Sequence, residues 1–211
     1  RRLPADVPPQ LKIIRRRTLP QVGSVLNHRY RVIRPLGEGG MGRVFLVEDL
    51  LKGSLPVALK MLRRGLLSDE AVERFKEEFR AMTRLRHPNL AAVHDFGILE
   101  ENGEPFLTLE YLDGKDLSGF TPAELRPHLP ALIAQFCRAL DSIHVRGLLH
   151  NDIKPQNIFL LPTPVGDEGV PYQAKLMDFG LARLADQGDD ARRSGTLQYA
   201  APELLAGEKV D

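Results

Sequence analysis

Four glycines fall within six residues, Gly37-Glu38-Gly39-Gly40-Met41-Gly42, and β-prone runs stand on both sides of them: Tyr30-Arg31-Val32-Ile33 before, Val44-Phe45-Leu46-Val47 after. This arrangement constrains the fold more than any other stretch. A dinucleotide-binding unit needs its glycines to follow a strand and open a helix, yet here the segment after Gly42 reads as a second strand. The chain therefore turns back on itself as strand, glycine turn, strand. Taken alone, the turn is either an ordinary hairpin or a flap whose small residues let backbone amides approach phosphate oxygens.

A third strand follows at Pro56–Leu62. Ser68-Asp69-Glu70 then caps a helix over 69–86 with an apolar face of Phe75, Phe79, Met82 and Leu85, and His87-Pro88-Asn89 breaks it. Two further strands, about 91–96 and 106–110, complete a small, mostly β lobe of five strands and one helix over residues 30–112. After Asp113-Gly114 the pattern becomes helical: Pro130 suits a first turn, Leu132, Phe136, Leu140 and Ile143 form one stripe, and Gly147 suits the stop. Pro162–Pro171 is a Pro/Gly-rich surface insertion between two short strands. Residues 1–29, with four prolines and Arg15-Arg16-Arg17, read as a solvated linker or tail. Residues 113–211 form the second lobe.

Composition narrows the class. With 211 residues, 43% hydrophobic and 27% charged, the chain can bury a core as one large domain or two small lobes. A single cysteine excludes an internal disulfide framework and fits a reducing, cytoplasmic setting; Phe136 and Leu140 beside it suggest that Cys137 is a small buried apolar residue. A net charge of +1 gives no sign of a nucleic-acid partner, and no apolar run reaches the length of a membrane span.

Chemistry concentrates in His150-Asn151-Asp152-Ile153-Lys154-Pro155-Gln156-Asn157, where a carboxylate, an amine and a carboxamide fall within six residues between apolar flanks. Moving a phosphoryl group from a nucleotide to a hydroxyl needs such a set: Asp152 to take or orient the hydroxyl proton, Lys154 to neutralise phosphate charge, Asn157 to hold a divalent metal. Lys60, on the third strand, needs a carboxylate partner if its ammonium is buried.

The glycine run with Val44, the Val57-Ala58-Leu59-Lys60 strand, the 150–157 loop, Asp178-Phe179-Gly180, and Gly195-Thr196-Leu197-Gln198-Tyr199-Ala200-Ala201-Pro202-Glu203 occur in the order of the protein-kinase motifs. The chain thus resembles protein kinases over about 30–211, and its flap looks most like those of bacterial serine/threonine kinases of eukaryotic type.

The resemblance implies an α+β, two-lobe fold, with a small antiparallel β N-lobe carrying one helix and a mostly helical C-lobe that is incomplete here. It implies ATP and Mg²⁺, and a protein substrate bearing Ser or Thr, since Lys154 and Thr196 follow the serine/threonine pattern. Glu78 takes the place of the carboxylate that pairs with Lys60, with Glu77 as its rival; Asp178 and Asn157 would be the metal ligands. The flap residues Gly37, Glu38, Gly39, Gly40, Met41 and Gly42 would cover the phosphates. Leu36, Val44, Ala58 and Phe159 would sandwich adenine, Leu109 would guard its pocket, and Glu110-Tyr111-Leu112 would be the hinge.

Two departures stand out. Asn151 replaces the arginine that usually pairs with a phosphorylated activation loop, so activity is expected not to depend on phosphorylation there. Family members also continue with more helices after the segment that ends this chain at Asp211, so further domains are expected beyond its ends, and the 211-residue piece alone is expected to be marginally stable. A nucleotide-binding scaffold without turnover, an inactive truncated piece and a small-molecule phosphotransferase are the rival readings. The first predicts loss of a lysine, base or metal residue, and all are present; the last usually lacks the 195–203 pattern.

Overall fold

The computed structural model describes residues 19–39, 42–62, 79–80, 82–150, 152–164, 170–178, 198–199 and 202. The runs flanking the glycines form an antiparallel hairpin within a six-stranded sheet. Its strands are β1 (Val25–Leu26), β2 (Tyr30–Gly39), β3 (Gly42–Asp49), β4 (Leu55–Leu62), β5 (Val93–Ile98) and β6 (Pro105–Glu110), in the order β1-β2-β3-β4-β6-β5. β2 shifts register between Val32 and Arg34 and again between Pro35 and Gly37, around a proline that lacks the N–H a regular ladder needs. At the turn Gly39 pairs with Gly42. Gly42 has φ +147°, and a Cβ there would lie 1.8 Å from the Met61 carbonyl oxygen, so only glycine lets β3 lie this close to β4.

The near-continuous apolar run Val57–Leu62 reflects burial on both faces of β4. Val57, Leu59 and Met61 join Tyr30, Val32, Phe45, Val47 and Phe106 in one core. Ala58 and Leu62 face a second core with Leu107, Leu109, Met82, Leu85, Ala139 and Ile143. Phe79, Arg80, Met82 and Thr83 are helical; the rest of the helix expected over 69–86, Phe75 and Glu78 included, lies outside the described residues apart from 84–86, where the chain has left the helix and Leu85 is buried.

The sequence reading placed residues 1–29 in a solvated tail. The structure corrects this for 23–29, and residues 1–18 lie outside the described residues. β1 adds a sixth strand. Asn27 donates through Nδ2 to the Ile98 carbonyl (2.9 Å) and accepts from the Glu100 N–H (2.9 Å). Arg29 grips Asp49 at 2.8 and 2.7 Å and Asp95 at 2.6 Å, with its guanidinium 4.7 Å from the Tyr30 ring centre. The two ends of the strand order, β1 and β5, are thereby stitched together around the first core. Short polar residues with few apolar neighbours look like linker in a sequence, and only the tertiary pairing reveals their work.

Beyond Glu110-Tyr111-Leu112 come β7 (Lys115–Asp116), the capped turn α1 (Pro122–Leu125), the long helix α2 (Leu129–His144), β8 (Ile158–Pro162) and β9 (Tyr172–Leu176). β7, β8 and β9 form a three-stranded sheet, and the 162–171 insertion joins its last two strands. α2 buries Leu132, Gln135, Ala139 and Ile143, with Phe136 and Leu140 half-buried at the side of that face. The expected stripe is thus rotated, and it places Cys137 on the exposed side rather than in the core. Gly114 marks a close approach, since a Cβ there would sit 2.4 Å from the Leu160 carbonyl oxygen. Among the described residues no helix is long and apolar enough to cross a membrane.

Candidate active site

The register of the first sheet sets Gly37 opposite Val44, Val44 opposite Lys60 and Ala58 opposite Leu109. Nothing lies within 4 Å of a Cβ built on Gly37 or Gly39, so the flap backbone is open on that side, as an approaching phosphate requires. Leu36, Val44, Ala58 and Leu109 share one apolar cluster, and Leu112 is buried. Phe159 is only half-buried and stands apart from that cluster. Gly40 and Met41 lie outside the described residues, while Glu38 at the flap edge pairs with Arg43 at 3.0 Å.

Lys60 is buried, and its Nζ donates to Asp178 Oδ2 at 2.6 Å; the two side chains are 8% and 13% exposed. The carboxylate that the sequence assigns to Lys60 is Glu78, which lies outside the described residues; the partner seen is Asp178, just past the second sheet. Asp178 follows β9 and has φ +61°, a left-handed conformation that Asp tolerates better than most residues and that turns the chain out of the strand.

On the facing loop, Lys154 Nζ lies 2.7 Å from Asp152 Oδ2. Asn157 Nδ2 donates to the Asp152 carbonyl (2.8 Å) and to its Oδ2 (3.0 Å), so the loop is braced from within. The Met177 N–H donates to the Asn157 carbonyl at 2.9 Å, bringing Asn157, just before β8, close to Asp178, just after β9. Asn151 lies outside the described residues.

Asp152 Oδ1 and Asp178 Oδ1 are buried and have no hydrogen-bond partner, the only such side-chain atoms among the described residues. Orphaned carboxylate oxygens are costly unless a proton donor or cation completes them. An oxygen of this kind on Asp178, close to the turn that carries the Asn157 carboxamide, fits a hard divalent cation; the one on Asp152 fits a hydroxyl donor.

His150 went unassigned in the sequence reading beyond its place in the loop. It is buried, its Nδ1 accepts from the Asp152 N–H (3.2 Å), and its Nε2 lies 3.0 Å from the Met177 carbonyl. Burial pushes its pKa down, so the ring is neutral with the proton on Nε2, donated to Met177. One imidazole therefore ties the loop that carries Asp152 to the segment that carries Asp178. Burial likewise lowers His87, whose Nδ1 accepts from the Asn89 N–H, and His94. A group with a depressed folded-state pKa takes a proton more readily when unfolded. The stability these histidines confer is thus complete above about pH 6.5 and erodes as pH falls through that value. The melting temperature is expected to drop between pH 7.5 and pH 5.5, as followed by circular dichroism; a flat profile would show that these rings are not held neutral. Asp49, held below the usual carboxylate range by its hydrogen bonds to Arg29, loses its contribution only at more acid pH.

The family model described as protein kinase domain matches residues 30–211. The chain is 37% identical to the serine/threonine-protein kinase pkn3 of Myxococcus xanthus over 201 residues, which covers 90% of this chain and 36% of that protein. It is 37% identical to the serine/threonine-protein kinase PknA of Mycobacterium tuberculosis over 198 residues, or 89% of this chain and 44% of that protein. It thus spans less than half the length of either relative. The crystal structure of the M. tuberculosis PknI kinase domain superposes with a TM-score of 0.67 at 31% identity, covering 92% of this chain and 69% of that one. On the family match across most of its length, and on a fold shared with a solved kinase domain, the chain belongs to the protein kinase family.

Proposed function

We propose that the chain carries the catalytic part of an ATP- and Mg²⁺-dependent serine/threonine protein kinase. The observation that carries this reading is the convergence of Lys60, Asp152, Lys154, Asn157 and Asp178, with two buried carboxylate oxygens lacking partners. In the reaction, the substrate hydroxyl oxygen forms a new bond to the γ-phosphorus of ATP and the bond from that phosphorus to the β–γ bridging oxygen breaks. ADP leaves, and the hydroxyl proton passes to Asp152 Oδ1. Lys154, held beside Asp152, faces the charge of the transferring group, and Lys60 holds nucleotide phosphate from the sheet side, with Glu78 proposed as its second carboxylate. Asp178 and Asn157 would hold the Mg²⁺, which neutralises charge on the phosphates.

The flap from Gly37 to Gly42 would cover the phosphates and exclude water. Leu36, Val44, Ala58 and Phe159 would sandwich adenine, and the backbone of Glu110 and Leu112 would bind its edge. Residues 30–112 form the proposed N-lobe and hinge, extended back to 23 by the stitching described above, with 113–211 in the second lobe. Its single cysteine and its need for ATP support a cytoplasmic working place. The direct test is transfer of the γ-phosphoryl group from labelled ATP to a basic protein with Ser and Thr. Label on serine or threonine, dependent on divalent metal, is expected; nucleotide binding without any transfer would leave the scaffold reading instead.

A further inference from the structure

The strand that delivers Asp178 to the site is held on its outer edge by side chains. β9 pairs with β8 on one side, where Ile158 faces Leu176 and Leu160 faces Ala174. On its other side no full strand follows among the described residues, yet every outward-pointing backbone group from Tyr172 O to Leu176 O is satisfied. Gln135 Oε1 accepts from the Ala174 N–H at 2.8 Å, and Gln135 Nε2 donates to the Tyr172 carbonyl at 3.3 Å. Asn89 Nδ2 donates to the Ala174 carbonyl at 2.9 Å and also to Gln135 Oε1 at 3.0 Å. The backbone completes the row: the Leu176 N–H donates to the Asn89 carbonyl and the Ala91 N–H to the Leu176 carbonyl, both at 2.9 Å.

Gln135 and Asn89 are 7% and 5% exposed and sit where α2 and the 87–91 segment offer otherwise apolar neighbours. A buried amide is retained at such a place only with its hydrogen bonds made, and these make theirs to one short strand and to each other. Two residues past the last of those bonds stands Asp178, and Met177 is tied to Asn157.

We propose that Gln135 and Asn89 are positioning residues for Asp178, a surrogate strand whose grip on β9 sets how tightly the site holds its divalent ion. The inference rests on the metal-dependent reading of the site given above. Because the pair acts on the strand and not on the nucleotide, its loss shifts metal dependence while leaving nucleotide affinity near its original value. The same bonds join α2 of the second lobe to the 87–91 segment next to the first sheet, so the metal-holding aspartate is registered against both lobes at once.

The test compares the full chain with Gln135→Met, which keeps the shape and removes the acceptor and donor, and with Gln135→Glu, which keeps the acceptor for Ala174 and Asn89. Mn²⁺ binding in the presence of ADP, by paramagnetic resonance, is read alongside the rate as a function of free Mg²⁺. Gln135→Met is expected to raise the half-saturating metal concentration about 10-fold, the scale of lost outer-shell support. Gln135→Glu, which keeps the acceptor for Ala174 but loses the donor to the Tyr172 carbonyl, should fall between the parent and Gln135→Met. Equal melting-temperature losses in both variants, with metal dependence unmoved, would mean a merely structural amide and overturn the proposal. If Gln135→Met does not fold, Asn89→Ser, which keeps the backbone carbonyl that holds Leu176, is judged by the same shift. Should neither variant fold, hydrogen exchange in the parent decides. Ala174 and Leu176 amides must then be as protected as that of Met177, and fast exchange overturns the proposal. Absence of phosphotransfer in the parent would sink the kinase reading alone, because the Mn²⁺–ADP titration still decides this one. A parent that binds no Mn²⁺–ADP overturns both.

Discussion

Replacing Asp152 with Asn is expected to lower phosphotransfer by about a thousand-fold, the middle of the range for a positioned general base, while nucleotide binding stays near its original strength. The substitution is isosteric, so packing at this buried position is preserved. What changes is chemical. One carboxylate oxygen is spoken for by Lys154 and Asn157, and the other has no partner and is the one free to take a proton. A carboxamide accepts a hydrogen bond but does not take up a proton at neutral pH, and it gives Lys154 no counter-charge. Phosphotransfer rates and a nucleotide titration on the same preparation check both halves. Turnover within ten-fold of the parent would remove Asp152 from the role of base.

The second large effect is on stability and lies far from the chemistry. Arg29→Ala is expected to destabilise the fold by about 3–5 kcal/mol, the usual loss when one member of a buried ion pair is deleted, and to lower the melting temperature by roughly 6–20 °C for a chain of this size. The cause is Asp49, only 2% exposed, whose carboxylate is gripped by two of the Arg29 bonds. Without the guanidinium it is a buried charge, left with Lys52 at 3.9 Å and the Leu51 N–H. The hydrogen bonds that raise the Arg29 pKa and lower that of Asp49 point the same way. The double variant Arg29→Ala with Asp49→Asn should recover part of the loss, since it removes the uncompensated charge. Thermal denaturation of both variants checks the claim, and strict additivity of the two substitutions would refute it.

Much of this molecule was legible as text, for definable reasons. The glycine run, Lys60 and the 150–157 loop are sequence-local, and the hairpin register then sets Lys60 beside Val44. Periodicity found α2, but by counting only apolar residues it turned the helix by a fraction of a turn. Gln135 belongs to the buried face because two backbone groups of β9 and the Asn89 side-chain amide await it, and Cys137 is displaced to the exposed side. Arg29, Asn27 and Asn89 were unreadable for the same cause. Each is polar and each acts through residues tens of positions away, from Arg29 to Asp95 and from Asn89 to Ala174. The Lys60–Asp178 pair joins residues 118 apart, and spacing along the chain could not favour it over a nearer carboxylate.

The stitching of β1 to β5 has a mechanical consequence. It gathers the ties between β1 and β5 at the end of β2 that holds Tyr30, while no strand among the described residues pairs with the outer side of β2 from Arg34 to Gly39. A sheet bound at one end and single-sided at the other has stiffness graded along its length, falling toward the glycines. The strand from Arg34 to Gly39 can then bend as a cantilever does while the core around Tyr30 stays undisturbed.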